Sequence, residues 1–286
     1  MPPRAGRLLV LAVLLAMSRA VAAEPRAPTR RELQRYPWLS AKQVIRPLAE
    51  ALPPPEGYTR VELEEDSFGA WLRGLPLRPA GTPVLDFRGR RVLSAAHPSL
   101  AAVAELDVGT VDLQQCADSL IRLHAEWLWS RREQERIAYR FTSGDLASWP
   151  RYASGERPRV SGAKVTWVKG GAVDGSRAAF HAYLDMVFTY AGTLSLAAGA
   201  QRPSRADVRP GDFFVLGGSP GHTVMVLDVA RDGEGRRVAL LGQGFTPAQD
   251  FHVLSPGEAG PWFSLEGDAV TTPFWAPFAW SSLRRW

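Results

Sequence analysis

The chain has 286 residues, a formal charge of +5, a hydrophobic share of 45%, ten tryptophans and one cysteine. The basic excess is not a nucleic-acid footprint, because Arg4, Arg7 and Arg19 fall in the first 23 residues and the other arginines are spread along the chain. A single cysteine excludes an internal disulfide, and without a His-x-x-x-His or Cys-x-x-Cys spacing neither a metal site nor a cofactor is expected.

Residues 1–23 read as a secretory signal peptide. Arg4 and Arg7 precede the apolar run Leu8–Met17, and Ala20-Val21-Ala22 or Val21-Ala22-Ala23 offers small residues before a cut. The run is too short to span a bilayer, and no later stretch approaches the ~20 apolar residues required. The remaining chain is expected to be exported, periplasmic or extracellular, with no transmembrane segment. Residues 24–56, rich in Pro and Arg, read as an arm holding a short helix between Ala41 and Ala51 that Pro53-Pro54-Pro55 closes. Residues 57–286 are expected to form one domain.

Within it, Tyr58–Leu63 alternates like a strand, Ser67–Leu75 reads as a short capped helix, and Arg88-Gly89-Arg90 turns a hairpin. Ala101–Val108 is a weaker strand. Asp112–Ser130 follows, a helix by pattern: Leu113, Cys116, Leu120, Leu123 and Trp127 recur at helical spacing, and Asp112 stands where an N-cap accepts the first free amides. Arg136–Phe141 reads as a strand, and 142–171 as mostly loop anchored by Trp149, Tyr152 and Trp167. Ser176–Ala198 carries an apolar stripe from Phe180 to Leu194 and reads as one core helix. Asp212–Leu216, His222–Val229, Arg237–Gly242 and Phe251–Leu254 read as strands apolar on both faces, so the sheet they form is expected to be covered on both sides. The Trp-rich tail, Trp262–Trp286, reads as an irregular surface wrap.

The cysteine helix carries the chemistry. Cys116 lies at the helix start, where the dipole favours a thiolate by ~0.3–1 kcal/mol, less than one pKa unit. A charged imidazole within ~4–6 Å would shift it by one to three units, so the partner decides. His222 is the candidate, because it opens a strand directly after the turn Gly217–Gly221. A hairpin turning between Asp232 and Gly235 places Gln243, or its neighbour Phe245, across from His222, where a polar group would orient the ring. Gln115, with the first-turn amides, is a weaker oxyanion candidate. The plainer reading makes Cys116 a packed core residue and Gln114 and Gln115 polar residues at a helix start. His97, His124, His181 and His252 carry no comparable pattern.

GDFFVLGGSPGHTVMVLDV resembles the GD-strand, glycine turn and GH-strand of the NlpC/P60 and CHAP cysteine peptidases. That resemblance implies a papain-like fold with cysteine, histidine and a polar third residue in that order, here Cys116, His222 and Gln243. CADSL stands where those families carry Ser or Gly after the cysteine. DLQQCADSLIRL, YAGTLSL, GGSPGHTVMVLDV and PAQDFHVL are together similar to an exported bacterial family, domain of unknown function 4846, from Pro54 onward. The expectation is an α+β fold, an antiparallel sheet packed against two main helices. Its expected activity is that of an amide hydrolase acting on cell-wall peptides; the alternative is a non-catalytic envelope module that binds glycan or peptide. Neither reading involves nucleic acid, and neither fixes an oligomeric state.

Overall fold

A strand buried on both faces must find apolar cover on both, and His222–Arg231 sets the plan of the molecule for that reason. Its Met225 and Leu227 join one apolar cluster, while Val224 and Val226 join a second on the other side. A computed structural model describes residues 24–257 and 259–286. The signal peptide expected at 1–23 lies outside the described residues.

The central sheet is built from β1 (Thr59–Arg60), β2 (Leu100–Val103), β3 (Phe213–Leu216), β4 (His222–Arg231), β5 (Arg237–Gln243), β6 (His252–Leu254), β7 (Trp262–Ser264) and β8 (Leu283–Arg284). Its order is β8-β3-β4-β5-β6-β2, with β1 also pairing β4 and β7 also pairing β5. Every pairing is antiparallel. With helices on one face, the fold is α+β.

The first face is covered by two main helices. Cys116–Ser130 buries Leu120, Ile121, Leu123 and Leu128. Arg177–Tyr190 buries Phe180, Tyr183, Leu184, Val187 and Phe188, each contributing ~1.5–3 kcal/mol as an upper bound. Where one helix was expected through Ala198, the chain breaks at Ala191-Gly192 and resumes as a separate helix, Thr193–Gly199. The cost falls on Leu194, expected in the stripe and in fact 50% exposed. The break matters because Thr193 Oγ1 then reaches the β3–β4 turn, donating to the Gly218 carbonyl at 3.2 Å.

Three further expectations change. The stretch 24–56 is no free arm, since Tyr36, Ile45 and Leu48 lie in the first apolar cluster. The expected loop of 142–171 holds a helix, Trp149–Ala153, and a hairpin of Glu156–Ser161 with Lys164–Lys169. The tail is not irregular: it supplies β7, β8 and the pair Ala269–Val270 with Phe278–Ala279. Phe263, Val270, Phe278 and Leu283 from this tail cover the second face of the sheet.

A bulge in β4 between Val226 and Asp228 turns Asp228 into the interior. Its carboxylate accepts from Arg60 Nε at 2.6 Å and Arg73 Nη2 at 2.7 Å, and so ties β1 and the helix Phe68–Arg73 to the sheet. Among the described residues, no helix is long and apolar enough to cross a membrane.

Candidate active site

The site forms where β4 and β5 part. The register that pairs Met225 with Gly242 sets Thr223 opposite Gly244, yet the β4–β5 ladder ends at that pair, while on its other edge β5 goes on to pair Gln243 with His252. The start of the cysteine helix fills the opening. A Cβ at Gly244 would lie 2.7 Å from the Gln115 carbonyl oxygen and 2.2 Å from Ser119 Oγ, so only glycine allows this approach. The Thr223 N–H, denied its rung, points to the Cys116 sulfur together with the amides of Cys116 and Ala117.

The helix begins at Cys116 with Gln115 as N-cap, not at Asp112. Asp112 instead ties the helix start to a loop, its Oδ1 accepting from Gln115 Nε2 at 3.0 Å and from the Ala248 N–H at 2.7 Å. Gln115 Oε1 accepts from Thr246 Oγ1 at 2.6 Å, which fixes the amide and leaves one of its two N–H bonds unspent. The N–H of the N-cap Gln115 is shared between the Leu113 carbonyl at 2.7 Å and Asp118 Oδ2 at 3.1 Å.

Cys116, Gln115 and His222 line one cavity of about 520 Å³, walled by Phe188, Phe245 and Trp275. Phe245 and Trp275 pack on the His222 ring at 4.8 and 4.9 Å between centroids. The ring therefore sits on the tail-covered face of the sheet, whereas Cys116 comes from the helix-covered face. The two meet at the end of the sheet, beyond the last β4–β5 rung. No hydrogen bond joins the thiol to His222 among the described residues.

Gln243 does meet His222. The two side chains share a face of the sheet, and Gln243 Oε1 lies 2.7 Å from His222 Nε2. On its other side Gln243 Nε2 lies 3.4 Å from His252 Nε2, and His252 Nδ1 lies 3.0 Å from the Asp250 carbonyl oxygen. The protons in this row are dictated by its far end. A carbonyl can only accept, so His252 carries its proton on Nδ1; burial holds this ring down at about 4, so it is neutral and Nε2 accepts. Gln243 must then donate through Nε2 and accept through Oε1. His222 consequently carries its proton on Nε2, and its Nδ1 keeps a lone pair with no partner among the described residues.

The resting charges differ from the thiolate and charged imidazole considered for the sequence. Burial, with the Asp118 carboxylate second, pushes the Cys116 thiol up to about 11, and the three amides only partly oppose it. Burial pulls His222 down to about 4 against a smaller opposing effect of the Gln243 hydrogen bond. The neutral pair is favoured by several pKa units, each ~1.4 kcal/mol. Such an arrangement suits a general base that receives the thiol proton during attack, not one that holds a preformed ion pair. Asp118 itself is pushed up to about 7 by burial.

His252 and Trp275 are the site members that sequence reasoning missed. A signal for His252 existed: a hairpin closing between Gly244 and Phe251 pairs Gln243 with His252. Trp275 belongs to the tail that no strand pattern had organised. His124 belongs elsewhere, stacked on Trp286 with centroids 4.3 Å apart and bonded through Nδ1 to the Tyr139 hydroxyl at 2.9 Å.

Compared with known families, residues 48–285 match Domain of unknown function (4846). No curated protein and no solved structure gave a match.

Proposed function

Because the chain belongs to this family of domains of unknown function, we propose from its chemistry that it is an exported cysteine hydrolase of amide bonds, acting on cell-wall peptides. The observation that carries the reading is the row Asp250 carbonyl, His252, Gln243, His222, which leaves an unprotonated Nδ1 on the imidazole that shares a cavity with the one cysteine. In the proposed reaction Cys116 Sγ attacks the amide carbonyl carbon while its proton passes to His222 Nδ1. Collapse of the tetrahedral adduct breaks the C–N bond, and the proton leaves with the amine. Water then attacks the thioester, again deprotonated at His222, and releases the acid and the thiol. Gln243 orients the base and Gln115 supplies an N–H for the oxyanion. The order Cys, His, Gln agrees with the NlpC/P60 resemblance, and export agrees with the leader read at 1–23.

One observation favours the alternative of a binding module: the thiol and the imidazole rest neutral and unbonded to one another. Digestion of purified peptidoglycan fragments separates the two. A hydrolase releases new amines that Cys116→Ala abolishes; a binding module retains fragments equally with and without the thiol and releases nothing.

A further inference from the structure

A second polar cavity, about 170 Å³, is lined among others by Asp107, Gln114, Arg122, His181 and Asp185. It is a neighbour of the first cavity, since Leu113 and Phe188 line both. Two of its side chains are spent only in part. Arg122, 4% exposed, gives Nε to Glu126 at 2.9 Å and Nη1 to Gln114 Oε1 at 3.2 Å, and its buried Nη2 has no partner. The Arg122 contact fixes the Gln114 amide, so its Nε2 faces away from the guanidinium; that buried atom also has no partner.

Charge points the same way. Glu126 is wholly buried and serves two guanidiniums, because Arg177 also bonds it at 2.7 and 2.8 Å. Two guanidiniums share one carboxylate, and of the two Arg122 is the buried one; its unspent Nη2 is the donor that an incoming carboxylate would take. Arg177 Nη2 donates to His181 Nε2 at 3.3 Å, so that ring adds no charge. At the mouth the pattern reverses, where the exposed Asp107 and Asp185 present carboxylates. A bare anion would meet repulsion there, whereas a ligand with a cation beside its carboxylate would satisfy both ends.

We propose that this cavity binds the zwitterionic end of an α-amino acid. The carboxylate takes the hydrogens of Arg122 Nη2 and Gln114 Nε2, and the ammonium lies against Asp107 and Asp185. The volume of about 170 Å³ has room for a small residue such as alanine. The site acts independently of Cys116 and adds a second binding function to the chain.

Titration calorimetry of the full chain tests this with L-alanine, D-alanine, acetate and methylamine. At least one alanine enantiomer binds saturably, while acetate and methylamine, each carrying half of the ligand, bind roughly tenfold more weakly or worse. Gln114→Leu and Asp185→Asn each reduce alanine affinity by ~10-fold or more, with the far-UV spectrum and melting temperature as the check that they fold. Cys116→Ala binds as the parent does, which keeps this site separate from the proposed hydrolase. The proposal is overturned by absence of saturable alanine binding in the millimolar range, by acetate binding as well as alanine, or by a folded Gln114→Leu that binds unchanged.

Discussion

Replacing Gln243 with leucine removes the group that transmits the Asp250 carbonyl's constraint to His222. Two hydrogen bonds are lost, but they are unequal. The one at 2.7 Å leaves the His222 Nε2–H buried with nothing to accept it, whereas the one at 3.4 Å is already weak. An orphaned buried donor costs ~1–3 kcal/mol, which in a chain of this size lowers the melting temperature by ~2–12 °C. The ring escapes part of that cost by moving its proton to Nδ1, the position the proposed chemistry needs empty. Imidazole ¹⁵N shifts measured near pH 7 should therefore show a pyrrole-like Nε2 and pyridine-like Nδ1 for His222 in the parent, with the two exchanged or averaged in Gln243→Leu. Acyl transfer to Cys116 should fall by ~10²-fold or more, the scale of a lost general base. A parent protein with the proton already on Nδ1 would refute the reasoning, because the row from Asp250 would then not set the tautomer.

Acid should weaken the fold through His222 and His252. Both rings sit at about 4 when folded against 6.5 otherwise, so the unfolded chain binds protons that the folded chain refuses. Their contribution is whole above about pH 6.5 and is lost as pH falls toward 4, by ~3 kcal/mol per ring at most; urea midpoints that stay level across that window would contradict this. Asp228→Ala strands Arg60 and Arg73, and because each is 21% exposed the loss should lie near the lower end of ~3–5 kcal/mol, read as a drop in melting temperature. Gly244→Ala should cost ~1–3 kcal/mol by forcing the Gln115 carbonyl away. Adding Ser119→Ala should recover only part of it, since that removes the 2.2 Å contact and leaves the 2.7 Å one; full recovery in thermal melts would show that the helix start is not wedged against β5.

The long periodic elements were legible because burial alone writes them. The strands from Asp212 to Gly242 and the two main helices are apolar at the spacing of their own geometry, and the structure has them. The polar row was half legible: the Asp232–Gly235 turn brought Gln243 toward His222, but His252 joins through a separate hairpin and its role emerges only with the Asp250 carbonyl. Asp112 misled because a residue suited to capping a helix is equally suited to tying the Ala248 loop. The helix break at Gly192 left no mark in a stripe that continued through Leu194. The tail's short strands lacked periodicity, since two or three residues are too few to show it, and with them went Trp275. The resting charges were illegible for another reason: burial, which sets both pKa values, is a property of the whole fold.

The central claim is that Cys116 is a nucleophile served by His222, and acetyl transfer from p-nitrophenyl acetate tests it most directly. At mildly acidic pH a thiol pushed up to about 11 reacts negligibly unless a base takes its proton during attack. Intact-mass measurement should show one acetyl group on Cys116 in the parent, with the rate reduced by ~10²-fold or more in His222→Ala. Equal rates in the two proteins, or acetylation only after unfolding, would contradict the account and make Cys116 a packed core residue.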